Sequence, residues 1–162
     1  MEQEFRDAMS RFASGVTVVT TVDAEGVPRG YTASAFTSLS LDPPMVLTTL
    51  AGTAESHPAF VTADTFAVSV LRPHHHEIAM RFASKGTDKF AGDDFTPGRL
   101  GLPVLPDALA VVECRIEALF PGGDHTIITG RVEHVWSHEG PALVYFMREF
   151  FELAGPMPAP VL

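Results

Sequence analysis

The most informative stretch of the sequence runs Gly30-Tyr-Thr-Ala-Ser-Ala-Phe-Thr-Ser-Leu-Ser-Leu-Asp-Pro-Pro44. It holds more hydroxyls and alanines than an ordinary core strand, yet apolar and β-branched residues flank it, which predicts an ordered segment. A run of small side chains lets a large flat group lie against the backbone, where amides and hydroxyls could hydrogen-bond it. A Ser/Thr-rich edge strand beside a turn is the alternative, and composition alone leaves both open.

The residues on either side of this stretch have strand and turn patterns. Residues 16–22 are all valine or threonine, which predicts a strand. The segment Asp23-Ala-Glu-Gly26 predicts a hairpin turn, because its glycine can adopt a positive φ. The opening stretch would then return as the next strand and end at its two prolines, which cannot donate ladder hydrogen bonds. Residues 45–50 predict a third strand.

The rest of the chain adds more strands than helices. Further strands are predicted at 65–71, 108–118, 126–136 and 143–146. Alternation in the second of these places Cys114 inward and Glu113 toward solvent. Apolar periodicity predicts short helices at 3–13 and 75–83, and residues 84–106 form a long Gly- and Pro-rich connection of the kind that is often functional. Hairpin-length links favour a mainly β, antiparallel fold that closes or nearly closes into a small barrel.

Bulk composition limits the classes of partner. The chain has 162 residues, which fits a single domain over residues 1–154 with a loosely ordered tail at 155–162. A formal charge of −9 argues against nucleic acid and against an anionic membrane surface. The sequence has one cysteine, no signal-like N-terminus and no apolar run long enough to span a membrane. A cytoplasmic protein is therefore expected.

Two clusters could bind ligands. Arg81, Lys85 and Lys89 lie close together in the sequence and could hold an anionic cofactor, or they could form a solvated charged face. The run His74-His75-His76-Glu77 suggests a metal, but successive residues of a helix point about 100° apart. A pair at His74 and Glu77 would give only two ligands, so no metal site is expected.

A third group lies in the turn Gly122-Gly123-Asp124-His125. Two glycines permit a close approach, Asp124 can brace the backbone or the imidazole, and His125 begins a strand. A hairpin turn with a surface histidine explains the pattern as well. Because Gly-x-Gly-x-x-Gly after a strand is absent, a nicotinamide-dependent enzyme with this sequence would not be a Rossmann dehydrogenase.

Taken in order, these segments resemble a known family. The matching segments are Gly15-Val-Thr-Val-Val-Thr-Thr21, Gly30 to Pro44, Phe66-Ala-Val-Ser-Val-Leu71, Arg81-Phe-Ala83 with Asp88-Lys-Phe90, Gly123-Asp-His125 and Pro141-Ala-Leu-Val-Tyr-Phe146. The sequence resembles the flavin reductase-like family of FMN-binding split barrels, and more narrowly the reductase components of two-component flavin monooxygenases. The resemblance covers roughly residues 5–153 and implies a Greek-key-like, antiparallel split barrel.

The resemblance also implies a site. The catalytic residue would be His125, bordering the nicotinamide. The flavin would lie along the backbone of 32–36, with hydroxyls and amides near Thr49 and Thr53 taking the ribityl chain and phosphate. The implied cofactor-binding residues are Thr32, Ala33, Ser34, Ala35, Phe36, Ser38, Thr49, Gly52, Thr53, Ala54, Arg81, Phe82, Lys89, Asp124 and Phe150.

The function implied is that of an NAD(P)H-dependent flavin reductase. Hydride would pass from nicotinamide C4 of NADH or NADPH to N5 of FMN or FAD, and a homodimer would deliver reduced flavin to a separate monooxygenase. Phe150 departs from the family, because many relatives carry tyrosine there and phenylalanine offers no hydroxyl. The open alternatives are a split barrel with tightly bound FMN acting on another small substrate, and a non-catalytic flavin-binding module.

Overall fold

The computed structural model of this chain describes residues 1–153 and 155–156. The helices among them are α1 (Glu2–Met9), α2 (His57–Phe60) and α3 (His76–Ala83), with a 3-10 turn at Pro73–His75 directly before α3. The strands are β1 (Ser14–Gly15), β2 (Thr17–Val22), β3 (Pro28–Ala33), β4 (Phe36–Leu41), β5 (Pro44–Ala51), β6 (Thr65–Val70), β7 (Thr96–Pro97), β8 (Pro103–Val104), β9 (Ala110–Gly122), β10 (His125–Ser137), β11 (Ala142–Phe146) and β12 (Glu149–Leu153).

Seven strands form one sheet in the order β3-β2-β6-β9-β10-β5-β4. The two outer strands, β3 and β4, are consecutive in the chain and are joined only by Ser34 and Ala35. Such a short link between opposite edges requires the sheet to curl until its edges meet. We call the place where they meet the seam. The Thr49 amide donates to the Ala35 carbonyl there, at 3.3 Å. The predicted mainly β, antiparallel fold is confirmed, and the sheet forms a nearly closed barrel.

Both faces of the sheet are buried. Successive residues of a strand point to opposite faces, and accordingly Val18 and Val19 of β2 belong to different apolar cores. The inner core includes Phe60, Phe66 and Ile128, all fully buried. The outer core lies under α3 and the segment after β8. Cys114 is buried in the inner core, as expected, and this burial raises the pKa of its thiol to about 12.

The stretch from Gly30 to Pro44 is not one strand. The chain breaks at Ser34 and Ala35, so its first half forms one edge of the sheet and its second half forms the other. The prediction of a single second strand is therefore wrong. The break carries neither proline nor glycine, and no local turn signal marks it in the sequence.

Glu113 also departs from the sequence expectation. Simple alternation placed its side chain in solvent, but it is fully buried on the outer face of β9. Its two carboxylate oxygens accept hydrogen bonds from the backbone amides of Arg99 and Leu100, each at 2.9 Å. The long connection folds over the sheet and covers this face. A buried carboxylate is satisfied in this way by peptide donors that lie far away in the sequence.

The chain ends differ from prediction as well. Helix α1 stops at Met9, because the next amide bonds, Arg11 to Ala8 and Phe12 to Met9, reach back only three residues. Strand β12 was missed altogether. It pairs with β11 through a turn in which Met147 and Arg148 both have positive φ, 51° and 65°, a conformation that sequence rules reserve for glycine and asparagine.

Two further expectations concern the C-terminal tail and membrane-spanning segments. The predicted tail at 155–162 lies outside the described residues apart from 155–156. Among the helices described, none is both long enough and apolar enough to cross a membrane.

Candidate functional site

A cleft of about 330 Å³ opens at the seam of the barrel. Its walls come from the link between β3 and β4, the end of β5, the segment before α2, the end of α3 with the loop that follows, and the start of β10. The predicted site residues that line it are Thr32, Ala33, Ser34, Ala35, Thr49, Thr53, Ala54, Phe82, Lys89 and His125. The closing of the sheet thus brings together residues from five separate segments.

The link between the edge strands forms one wall of the cleft. Ser34 and Ala35 are exposed, whereas Ala33 lies in the inner core and is only 5% exposed. Within the described residues, the amides of Ser34 and Ala35 donate no hydrogen bond to protein. Free amides beside small side chains can accept a flat polar ring without a steric cost.

Helix α3 closes the floor of the cleft, and it does so because of one glycine. Gly30 lies against Phe82, and a Cβ at position 30 would come within 2.8 Å of that ring. The Thr32 hydroxyl donates to the Ala79 carbonyl at 2.6 Å, which ties β3 to the helix. Thr32 therefore lines the cleft with its proton already engaged, and its hydroxyl can only accept a hydrogen bond from a ligand.

The basic side of the cleft is formed by the loop after α3. Lys85 and Lys89 line the cleft, and the Lys89 ammonium donates to the Gly30 carbonyl at 3.3 Å. Burial lowers the pKa of Lys89, while the nearby Glu55 carboxylate acts in the opposite direction. A partly desolvated ammonium without a carboxylate partner can bind an anion strongly.

Arg81 does not line the cleft. Its guanidinium donates to the Lys89 carbonyl at 3.0 Å and to the Asp94 carboxylate at 2.6 Å. A phosphate-binding role of Arg81 stays a prediction. In this arrangement Arg81 holds in place the segment that carries Lys89.

His125, the first residue of β10, also lines the cleft. The hairpin turn before it is the two-residue loop Gly123-Asp124, and Gly123 has φ of 71° as such turns require. The Asp124 carboxylate lies 2.7 Å from His125 Nδ1 and has a lowered pKa because of this hydrogen bond. When the neutral imidazole donates from Nδ1, its Nε2 is an acceptor, which can orient an amide N–H of a ligand.

Residues 49–54, at the end of β5 and before α2, offer a ligand side-chain hydroxyls more than backbone amides. The Gly52 amide donates to the Asp124 carbonyl at 2.9 Å, and the Ala54 amide donates to the Ala51 carbonyl at 3.0 Å. Both amides are therefore engaged by protein. The hydroxyls of Thr49 and Thr53 make no hydrogen bond to the described residues, so both remain available to a ligand.

Several predicted site residues lie outside the cleft wall. Phe36 packs at the edge of the inner core, and Ser38 is exposed on β4. The Phe150 ring contacts His76 and Tyr145, with ring centroids 4.8 Å and 5.1 Å away, in a different part of the molecule. The residues outside the wall are Phe36, Ser38, Gly52, Arg81, Asp124 and Phe150.

Sequence reasoning did not name six residues of the wall as site residues, and it left Lys85 open between an anion-binding cluster and a solvated charged face. The six residues are Tyr31, Leu50, Ala51, Glu55, Ala83 and Ser84. Glu55 had no signal of its own, because an acidic residue before a helix is ordinary. Lys85 could have been chosen from its place between Arg81 and Lys89.

The histidine run does not pair as the sequence suggested. His74 contacts the Asp107 carboxylate at 2.7 Å and His75 contacts it at 3.0 Å, while Glu77 is exposed elsewhere on α3. The Arg72 amide donates to His75 Nδ1 at 3.1 Å, so the neutral ring keeps its proton on Nε2. That nitrogen has no lone pair for a metal ion. Burial lowers the pKa of His75, which favours this neutral form.

Comparison with known proteins identifies the family. The family model described as flavin reductase like domain matches residues 9–154. The chain belongs to the flavin reductase-like family. It is 49% identical to the actinorhodin polyketide dimerase of Streptomyces coelicolor over 95% of this chain and 89% of that protein. It is 43% identical to the reductase component of 4-hydroxyphenylacetate 3-monooxygenase of Thermus thermophilus over 96% of this chain and 99% of that protein.

Solved structures of this family share the barrel. An NADH:FAD oxidoreductase of Streptomyces globisporus, determined with NAD and FAD fragments, superposes with a TM-score of 0.87 and 37% identity. The match covers 94% of this chain and 93% of that one. The likeness extends over nearly the whole chain, so the two proteins share the barrel fold.

Proposed function

We propose that this protein is an NAD(P)H:flavin oxidoreductase that reduces FMN or FAD for use by a separate monooxygenase. One observation carries the proposal. The seam cleft combines a wall of small residues with free amides, a partly buried lysine and a carboxylate-bound histidine. These suit, in order, a flat ring, an anionic phosphate and an amide-bearing second ring.

The protein's own residues would orient the two rings. A bound flavin would supply the redox chemistry, as an acceptor at N5 for the hydride of nicotinamide C4. Ser34 and Ala35 would place the flavin edge by backbone hydrogen bonds, and Lys89 would hold the phosphate. His125 would position the nicotinamide by accepting a hydrogen bond at Nε2, with Asp124 fixing the tautomer. Hydride transfer needs no general base, so this role is one of orientation.

A direct assay tests the proposal. Purified protein with NADH or NADPH and added FMN or FAD should oxidise the nicotinamide, seen as loss of absorbance at 340 nm. Four combinations of flavin and nicotinamide would identify the preferred pair. Absence of turnover in all four would contradict the proposal.

A matched pair of variants locates the flavin. Ala35→Trp places a large ring in the cleft wall, while Thr37→Trp adds the same bulk to an exposed residue of β4 outside it. We expect Ala35→Trp to abolish flavin binding, measured as quenching of FMN fluorescence, while the barrel stays folded. Thr37→Trp should bind FMN as the unaltered protein does. Ala33 is unsuitable for this test, because tryptophan at a buried core position would disturb folding.

Assembly and partner belong to the same proposal. The relative from Thermus is named as one component of a monooxygenase, which supports a separate oxygenase partner for this chain. A homodimer is supported by exposed apolar side chains on α1, on the turn after it and on the β11–β12 hairpin, and Arg148 of the hairpin contacts Asp7 of α1 at 2.6 Å. These side chains are Phe5, Met9, Phe12, Phe146, Met147 and Phe151. The molar mass in solution, by light scattering, tests the dimer.

Two further expectations stand as part of the proposal. The match to residues 9–154 supports one domain over nearly the whole chain. The single cysteine and the need for reduced nicotinamide support action in the cytoplasm.

A further inference from the structure

A carboxylate ties the middle of the loop after α3 to the segment before α2. Glu55, which precedes α2, accepts a hydrogen bond from the Gly86 amide at 3.0 Å. Gly86 has φ of 70°, and residues 84–88 around it are exposed. Glu55 therefore fixes the middle of an exposed loop, while Arg81 fixes the segment just after it through the Lys89 carbonyl.

Glu55 belongs to the wall of the cleft and lies near Lys89. It lines the seam cleft together with Lys85 and Lys89. Glu55 and Lys89 also line a neighbouring hollow of about 480 Å³. The Glu55 carboxylate is near enough to Lys89 to act on the pKa of that ammonium, although the two groups form no ion pair at bonding distance among the described residues. A negative charge thus lies where an anionic phosphate would be bound.

The two effects of this carboxylate oppose one another. By holding the loop, it keeps Lys85 and Lys89 beside the cleft and favours phosphate binding. By its charge, it repels a phosphate and disfavours binding. A neutral glutamine could do the first without the second, because its carbonyl oxygen accepts the same amide hydrogen bond.

We propose that Glu55 is a positioning residue that orders the 84–88 loop and at the same time keeps flavin phosphate binding weak, so that reduced flavin can leave. This inference rests on the proposed function, since a reductase that supplies another enzyme must release its product. It deepens that function by naming the residue that sets the residence time of the flavin. The ligand group it acts on is the phosphate, not the ring.

Three variants separate the two effects. Glu55→Ala removes tether and charge, Glu55→Gln removes the charge alone, and Glu139→Gln removes the same charge from an exposed loop elsewhere. Glu139 has no side-chain hydrogen bond or ion pair to the part of the chain that the structure describes. It is therefore a matched control for a change in net charge.

The tether is tested without flavin. Hydrogen exchange of residues 84–88 in the flavin-free protein should be about tenfold faster in Glu55→Ala, the factor for one lost charge-assisted hydrogen bond. Glu55→Gln and Glu139→Gln should exchange nearly as the unaltered protein does. An unchanged rate of amide exchange in Glu55→Ala would contradict the proposal that Glu55 orders this loop.

The charge effect is tested with two ligands that differ by one phosphate. Glu55→Gln should bind FMN about fivefold more tightly, as expected when one like charge is removed from a solvated cleft, and should bind riboflavin as before. Glu55→Ala should bind FMN more weakly than Glu55→Gln does. An unchanged Kd for FMN in Glu55→Gln, or an equal change for riboflavin, would overturn the charge effect.

The outcomes also distinguish this inference from the proposed function. If the unaltered protein bound no flavin, the proposed function and the charge effect would both be wrong, and the exchange experiment would still decide the tether. If the unaltered protein turned over NADH while the Glu55 variants matched it in both experiments, only the inference about Glu55 would be wrong.

Discussion

Two histidine–carboxylate pairs in this molecule contain the same chemical groups in different surroundings. His75 is 3% exposed and contacts Asp107 at 3.0 Å, while His125 is 43% exposed and contacts Asp124 at 2.7 Å. His75 also accepts a hydrogen bond from the Arg72 amide, so both its ring nitrogens are engaged by protein. His125 has only the one partner among the described residues, and it lines a cleft.

The difference between the pairs indicates which one is available for chemistry. A histidine whose two nitrogens are both satisfied in the interior stabilises the fold, because a ligand would have to break existing bonds. A histidine with one nitrogen braced and the other free at a cleft can act on a ligand at little cost to stability. Each prediction below would sharpen this assignment or reverse it.

The largest expected effect is on stability, at His75. His75→Ala leaves the Arg72 amide without its acceptor and removes one donor from Asp107, so we expect the free energy of unfolding to fall by about 3 kcal/mol. Urea unfolding at pH 7.5 measures this. His125→Ala should change the same quantity by less than about 0.5 kcal/mol, as exposed substitutions usually do. A larger loss at His125 than at His75 would reverse the comparison.

The next effect is on turnover, at His125. His125→Ala should lower kcat/KM for NADH oxidation about thirtyfold, because the nicotinamide loses a group that orients it, worth about 2 kcal/mol. Steady-state kinetics at saturating flavin measures the change. His125→Asn keeps a hydrogen-bonding side chain and should retain more activity.

The control for this prediction is another exposed histidine. His138 is exposed, and only its backbone amide is hydrogen-bonded to the described residues. His138→Ala should keep the full rate. If His125→Ala also kept it, His125 would be a surface residue of the hairpin turn, which is the alternative that the sequence left open.

The sequence predicted His125 and Asp124 because their relation is local. The two residues are neighbours, and the glycines before them define the turn that presents them. The pair of His75 and Asp107 could not be predicted in the same way. Its members lie 32 residues apart, and Asp107 directly follows the long connection, whose sequence gave no sign of where it would fold.

The same distinction holds for the fold. Valine and threonine patterns predicted most of the strands, because burial of alternate residues is a local requirement. The seam was not predicted, because Ser34 and Ala35 look like strand residues and only closure of the sheet separates them. Glu113 was misplaced for a related reason. Its partners are amides of the connection over the sheet, which alternation within one strand cannot reveal.

The smallest expected effect is the pH dependence of stability near neutrality. The slope of the unfolding free energy with pH follows the difference in bound protons between the unfolded and folded states. His75 has an ordinary pKa of 6.5 when unfolded and a lower one when folded, because burial disfavours its charged form, with the nearby Asp107 acting in the opposite direction. As the pH falls below about 6.5, the unfolded chain therefore takes up a proton that the folded protein refuses, and stability decreases.

Asp107 does not obscure this window. Burial acts to raise the pKa of Asp107, but hydrogen bonds from His74 and His75 outweigh it, so the pKa lies below its ordinary 3.8 and affects stability only in stronger acid. Urea midpoints measured from pH 7.5 to 5.5 should fall toward acid in the unaltered protein and in His125→Ala. The fall should be shallower in His75→Gln. An equal slope in all three would mean that His75 is not the group held neutral by the fold, and the contrast between the two pairs would rest on exposure alone.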